Sequence, residues 1–583
     1  MLGNMLTDIL ATVFLVIVLV YVPLHLINSL WLKPKRLEKC LRDQGFRGNP
    51  YRPIYGDLAE ITGMARSSLS KSFTSLTHDI VSRILPFLHH TIQQYGKESF
   101  IWYGRNPKIN ITKIELIKEI FTKYEVFTKQ SPAKKTMFGL PMREGEDWAK
   151  VRKIINPAFE IEKLKCVEGK GGCEIGGVGR ISGARVREGW SAIGGGGWGE
   201  WLGVFSGRKS APDAGGGQIG RGYGGCAVAG VNMLPTMEKC CDKMIRKWDE
   251  VVATSGSAEV DVYSSLSMYS GDVIAITSFG SSYEEGEKLY KLQEEDLSLT
   301  FQAMRTMTNY IPGWRYLPTK ANRRKKKLDR EIKETAKTLV DKRKKLKQIK
   351  DSKNKDDLLS VMLESNEKEI EEDGVGLPME DLIEECKLFM LAGKDTTSSL
   401  LTWVMVLLSQ HQDWQNKARE EVLSHFGKDY TPDYKGLNSL KIMNMIINET
   451  LRIYPPIATL SRIIHTNTNL KQLTLLSGME ISMPLSMVHR DRELWGDDAS
   501  EFNPNRFSEG VLSASKVPGS FFPFGGGPRI CVGKNYALIE SKLALTKILQ
   551  RFSFELSSSY VHAPIFELAL VPQFGAQLIL HKI

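Results

Sequence analysis

Hydrophobic residues are spread unevenly along the chain, and their pattern marks its elements. The first segment, Ile9 to Val22, is apolar except at Thr12 and Tyr21; it continues more weakly through Leu32, interrupted by Pro23, His25 and Asn28. A membrane-spanning helix needs about 20 mostly apolar residues, so residues 1–32 are predicted to form one N-terminal transmembrane helix. The run ends in Trp31-Leu32-Lys33-Pro34-Lys35-Arg36, an interfacial aromatic followed by cations, and no small-residue cleavage site follows. Cations on that flank stay on the cytosolic side. The anchor is therefore expected to remain uncleaved, with residues 33–583 in the cytosol.

Beyond the anchor the pattern is mainly helical. Leu382 to Leu408 reads as a long helix, and Ala537, Leu538, Leu543, Ala544, Ile548 and Leu549 recur at the spacing of a buried one. Helical pattern reaches Lys165 and resumes at Met233-Leu234-Pro235. Residues 166–232 between them show no period and hold 23 of the chain's 51 glycines, with runs at Gly194–Gly197 and Gly215–Gly217. Such a composition buries too little apolar surface to offset ordering entropy. No strand and helix flank these glycines as a phosphate-binding loop requires. The stretch is expected to be a disordered insert, and a retained intron or gene-model error would account for it.

Composition narrows the function. A chain of 583 residues that is 42% hydrophobic and 25% charged can fill a large globular core. The net charge of +11 gathers in tracts such as Arg323 to Lys327 and Lys342 to Lys355. Without zinc-finger spacing or a basic-region heptad, these are expected to be solvated helix faces, and no nucleic-acid partner is expected. None of the eight cysteines belongs to a CxxC pair, and eight in so long a chain is no disulfide framework.

One cysteine stands apart. Phe524-Gly525-Gly526-Gly527-Pro528-Arg529-Ile530-Cys531-Val532-Gly533 reads as a tight loop opening a helix. At a helix N-terminus the free N–H groups and the dipole favour a thiolate, and Arg529 is expected to add a positive charge beside it. A second pattern interrupts the long helix. Ala392-Gly393-Lys394-Asp395-Thr396-Thr397 holds poor mid-helix residues, and a threonine hydroxyl there can bond back one turn and bend the helix, a local widening. A third is Glu449-Thr450-Leu451-Arg452 before Tyr454-Pro455-Pro456, whose acid and base share a helix face. Trp148 and Arg152 share a face in the same way.

The complete pattern FxxGxRxCxG around Cys531 resembles the haem-binding loop of the cytochrome P450 family, and the other patterns follow in the order that family requires. Further stretches, such as Gln44-Gly45-Phe46-Arg47-Gly48-Asn49 and Trp495-Gly496-Asp497-Asp498, are similar to the plant clan that includes secologanin synthase and several triterpenoid oxidases. The resemblance implies a mainly α fold with a small β region, the cytochrome P450 fold. It implies haem, with Cys531 as the axial ligand of the iron. Phe524, Arg529 and Gly533 would shape the haem loop, and Trp148, Arg152 and Arg462 would face a haem propionate. Asp395 and Thr396 would organise water and protons for oxygen activation. Glu449, Arg452 and Arg506 would form a structural ion-pair group; Asn505 stands where the family usually has an acid. Phe389, Ala392, Ile457, Ala458 and Leu460 would line the substrate pocket.

The implied reaction inserts one oxygen atom of O2 into a lipophilic, terpenoid substrate. Electrons would come from NADPH through a membrane-bound flavoprotein reductase, and the enzyme would sit in the endoplasmic reticulum membrane. Two alternatives stay open. One is a haem isomerase or dehydratase that needs no external electrons; the other is a pseudoenzyme impaired by the insert.

Overall fold

Helix α1 (Lys33–Asp43) buries Leu37 and Leu41, one turn apart, against a small sheet. It continues an unbroken helical run from Ile17, with π-type turns at Ile17–Tyr21 and Asn28–Leu32. The sheet starts with β1 (Phe100–Tyr103) and β2 (Asn106–Asn110), followed by α2 (Ile114–Thr122) and β3 (Phe127–Thr128). Helix α3 (Gly145–Ile155) comes next. The computed structural model describes residues 16–73, 77–129, 139–159, 233–279, 283–304, 314–348, 357–374 and 376–583. The glycine-rich stretch 166–232 and the first half of the expected anchor lie outside them. Among the described residues no helix is long and apolar enough to cross a membrane. Val16, Leu19, Val20, Tyr21, Leu24, Ile27, Trp31 and Leu32 are nonetheless exposed.

Helical structure resumes where the pattern does, with α4 (Leu234–Val252), then β4 (Ser257–Asp261), α5 (Val262–Phe279), α6 (Tyr283–Met304), α7 (Lys320–Gln348) and α8 (Leu358–Asp373). Helix α7 carries the first basic tract mostly on exposed positions, as a solvated face should. Helix α9 (Met379–Gln410) runs through the main core, and α10 (Gln412–Phe426) and α11 (Lys441–Ile453) pack beside it. Positions 443, 446, 447, 450 and 451 form the buried stripe of α11, and Pro455 ends the run.

Strands β5 (Leu460–Ile464) and β6 (Glu480–Met483) complete a five-stranded sheet ordered β1-β2-β6-β5-β3. Arg462 lies opposite Ile481, and Phe127 opposite Ile464. Helix α12 (Lys534–Arg551) leads into β7 (Phe552–Leu556) and the closing strand β8 (Gln577–Lys582), which sits between β4 and β7. The described residues are thus mainly helical with small sheets, as the sequence predicts, and they belong to a body drawn from both sides of the glycine-rich stretch.

Candidate active site around Cys531

The loop before α12 owes its path to glycine. Gly527 has φ +64, a region costly to residues with a side chain, and a Cβ on Gly526 would stand 2.6 Å from the Phe121 ring on α2. The chain turns through Gly527–Arg529, and the Cys531 N–H then donates to the Phe524 carbonyl at 3.0 Å. Gly533 caps α12 and gives its N–H to the Cys531 sulfur. The cysteine therefore sits at a helix N-terminus. Its side chain keeps accessible surface although protein packs around the sulfur. That packing pushes the thiol up, against the pull of the Gly533 N–H, Lys129, Arg152 and Lys534.

Arg529 departs from expectation. Its guanidinium turns to Glu144 at 2.8 Å and to the carbonyls of Arg143 at 2.8 Å and Pro141 at 3.3 Å, stacked 4.8 Å over the buried ring of Trp148. It braces the loop, and other cations act on the sulfur. Arg152 donates to the Ile530 carbonyl at 2.9 Å. Arg462 is buried on β5, its Nη1 bonded only to the adjacent Ser461 carbonyl and its Nε without a hydrogen-bond partner. Burial first, and Arg529 next, lower the Arg462 guanidinium to about 10. Lys129, which sequence reading missed, is lowered to about 7 by burial and then by Arg462 and Arg529. It directly follows β3, and only the pairing of that strand with β5 brings it here.

The middle of α9 forms a second part. Most positions from Leu382 to Leu391 and from Thr397 to Ser409 are buried, whereas Ala392 to Thr396 keep accessible surface. Thr396 Oγ1 donates to the Ala392 carbonyl at 2.7 Å. The back-bond is present, but the expected widening is not: α9 runs unbroken through it. Tyr290 of α6 donates to Asp395 Oδ1 at 3.1 Å, and Lys394 Nζ lies 3.1 Å over the Tyr290 ring. Burial raises the Asp395 carboxyl, opposed by Lys394 and the Tyr290 hydroxyl. Of the pocket candidates, Phe389 packs edge-on against Phe159 at 5.3 Å in the main core. Ala458 is buried, with its carbonyl bound by the Ser486 N–H. Ile457 is half-buried, and Leu460 opens β5 beside Gly525.

Glu449 and Arg452 are completely buried and joined twice at 2.7 Å. Arg452 also reaches the carbonyls of His489, Ala499 and Glu501, and Glu449 accepts the Asn503 N–H at 2.8 Å. Arg506 approaches Glu449 at 3.5 Å and pairs with Asp498 at 2.5 Å. Arg506 therefore has an acid partner in Asp498 although Asn505 carries no charge.

A sequence model described as Cytochrome P450 matches residues 227–580. The chain belongs to the cytochrome P450 family. It is 42% identical over 574 residues to cytochrome P450 CYP72A219 of Panax ginseng, covering 97% of each chain. It is 41% identical over 584 residues to 7-deoxyloganic acid hydroxylase of Catharanthus roseus, covering 97% of this chain and 99% of that one. Secologanin synthase 1 of the same plant is 41% identical, covering 95% and 94%.

A P450 is a haem monooxygenase, and the residues at Cys531 fit that group. Haem brings an iron that takes a thiolate and two carboxylates that take cations. Cys531 supplies the sulfur at a helix N-terminus. The buried Arg462 with an orphaned Nε, together with Lys129 and Arg152, supplies positive charge beyond what Glu144 balances. A surface cleft between α4 and α5, bounded by Cys240, Lys243, Trp248, Met268 and Asp272, contains none of these residues.

Proposed function

We propose that this chain inserts one oxygen atom of O2 into a C–H bond of a lipophilic terpenoid, using electrons from NADPH delivered by a flavoprotein reductase. The observation that carries this reading is the acid and alcohol, Asp395 and Thr396, in the accessible stretch Ala392 to Thr396 that interrupts the buried middle of a core helix. Cys531 would hold haem, which when bound would supply the iron for O2 chemistry. Arg152, Arg462 and Lys129 would hold the haem carboxylates by charge. The Thr396 hydroxyl gives its own hydrogen to the Ala392 carbonyl and so offers its oxygen as an acceptor. A water donating to that oxygen would be oriented before any proton moves. The raised Asp395 carboxyl holds a proton more readily than an exposed acid, and its Oδ1 is fixed by Tyr290. An acid with a shifted affinity beside an ordered water is the arrangement that proton delivery needs.

The terpenoid assignment follows from the relatives named 7-deoxyloganic acid hydroxylase and secologanin synthase, 41% identical across nearly the whole chain. We place the enzyme on the endoplasmic reticulum membrane through residues 1–32, with its body in the cytosol. The exposed apolar side chains from Val16 to Leu32 and the cations after them support that placement. The test is microsomal expression, a carbon monoxide difference spectrum, and turnover of a terpenoid panel with and without NADPH and reductase. A thiolate-type band with NADPH-dependent oxidation is expected. Turnover that needs no NADPH would favour an isomerase or dehydratase instead.

A further inference from the structure

The backbone from Gly139 to Asp147 is gripped from two sides. On the α9 side, Glu385 is fully buried and uses both carboxylate oxygens. Oε2 accepts the Leu140 N–H at 2.8 Å, and Oε1 accepts Arg143 Nε at 3.3 Å. The Arg143 guanidinium also meets Asp381 at 2.7 Å and Asp147 at 3.2 Å. Gly139, with φ +73, lies so close that a Cβ there would stand 2.9 Å from Glu385 Oε2. On the other side, Arg529 takes the carbonyls of Pro141 and Arg143 and the carboxylate of Glu144. Arg143 thus faces both ways, with its side chain toward α9 and its carbonyl toward a residue two positions before Cys531.

Packing alone would hold this segment without a buried carboxylate, which is costly to desolvate. Burial lifts the Glu385 carboxyl to about 7 against the pull of the Leu140 N–H and Arg143. Glu385 has no part in the proton path of Asp395 and Thr396. Its bonds point only to the strap.

We propose that Glu385 is a positioning residue for the thiolate loop: by fixing Leu140 and Arg143 it presents the carbonyls that keep the Arg529 guanidinium over Trp148 and off the Cys531 sulfur. The proposal rests on Cys531 as the haem ligand. With the strap loosened, Arg529 gains freedom to approach the sulfur. A cation nearer the thiolate withdraws charge from the iron and raises its reduction potential.

The test uses the full-length haem-loaded protein as Glu385→Ala and Glu385→Gln, with Arg143→Lys as a milder variant. Spectroelectrochemistry reads the iron potential, and the carbon monoxide complex reads the fraction with a thiolate-type band. We expect the potential to rise in Glu385→Ala and less in Glu385→Gln. Haem retention should weaken about tenfold in Glu385→Ala, as when an outer-shell partner of a metal site is removed. A parent-like potential and thiolate fraction in both Glu385 variants, with only the melting temperature lowered, would overturn the proposal. Should Glu385→Ala fail to accumulate folded, Glu385→Gln and Arg143→Lys decide: unchanged potentials in both sink it, and a rise in either upholds it. A parent chain with no thiolate-type band would instead refute the haem-thiolate reading itself.

Discussion

Arg452 and Arg462 lie close in sequence and are both buried, yet they are buried in opposite ways. Arg452 uses all five of its N–H donors: two on Glu449 and the rest on the carbonyls of His489, Ala499 and Glu501. Arg462 bonds only the neighbouring Ser461 carbonyl, leaves Nε without a partner, and has its guanidinium lowered to about 10. The first group is closed, because its charges and lone pairs are answered within the chain. The second is open, and a buried cation in such a place is stable only when an anion comes from outside. A closed group serves folding; an open one serves a ligand. Burial alone does not tell these two apart; the number of answered N–H groups does, five in Arg452 against one in Arg462.

Removing each arginine should therefore give effects of opposite sign. Arg452→Met leaves buried Glu449 with only the Asn503 N–H and the more distant Arg506 to answer its charge, which costs about 3 kcal/mol. Little folded protein should accumulate, and urea unfolding of what remains should show the loss. Wild-type stability in that variant would break the comparison. Arg462→Met should leave the haem-free protein as stable as the parent or about 1 kcal/mol more so, since it removes a poorly paired buried charge. The same variant should retain haem about tenfold less well. A large stability loss in the haem-free Arg462→Met protein would place Arg462 in the closed class.

Acid sharpens the contrast. His489 adjoins the closed group: its carbonyl accepts from Arg452 and its Nε2 accepts the Phe522 N–H at 3.3 Å, while its buried Nδ1 has no partner. Burial, followed by Arg452 and Arg490, holds its imidazole neutral and lowers it to about 3. An unfolded histidine titrates near 6.5. The stability from neutral His489 is thus present above pH 6.5 and lost as the pH falls toward 3. Within that window one proton bound only by the unfolded chain costs about 1.4 kcal/mol per pH unit. Unfolding free energy measured from pH 6 to 4.5 should fall less steeply in His489→Gln by about that slope. Identical slopes would mean that His489 is already charged in the folded protein.

The closed group and the thiolate loop were largely legible in the sequence, and for one reason. Glu449 and Arg452 lie three residues apart on one helix, and the loop from Phe524 to Gly533 carries its glycines, proline and cysteine in one short run. Local spacing fixes such arrangements. The open group was legible only in part. Arg152 and Arg462 fitted a family pattern, whereas Lys129 arrives through the pairing of two strands distant in sequence. Glu385 reads as one more acid on a helix until Arg143 is seen beside it. Arg529 shows the opposite error: proximity in sequence suggested a cation at the sulfur, and the fold turned it toward Glu144. Residues 1–15 of the expected anchor and the glycine-rich stretch 166–232 lie outside the described residues, and residues 16–32 are helical without forming a span long and apolar enough to cross a membrane.

The smallest effect tests how far the closed group tolerates a departure from the family pattern. Asn505 is exposed and carries no charge at a position where the expected family pattern has an acid, which on pattern alone would weaken the hold on Arg506. Arg506 instead pairs with Asp498, donates to the carbonyls of Asp498 and Trp495, and lies 3.5 Å from Glu449. The Arg506 side chain is 8% exposed and that of Asp498 38%, so the pair is partly screened. Asp498→Asn should cost about 1 kcal/mol, the upper end for an ion pair open to solvent on one side. Asn505→Asp should change stability by less than about 0.5 kcal/mol, as surface substitutions away from a buried network do. In Asp498→Asn, however, adding Asn505→Asp should recover part of the loss, because the second acid then has an under-satisfied guanidinium to meet. A double-mutant cycle in urea measures that coupling. Strict additivity would show that Asn505 faces away from Arg506 and that Asp498 alone answers its charge.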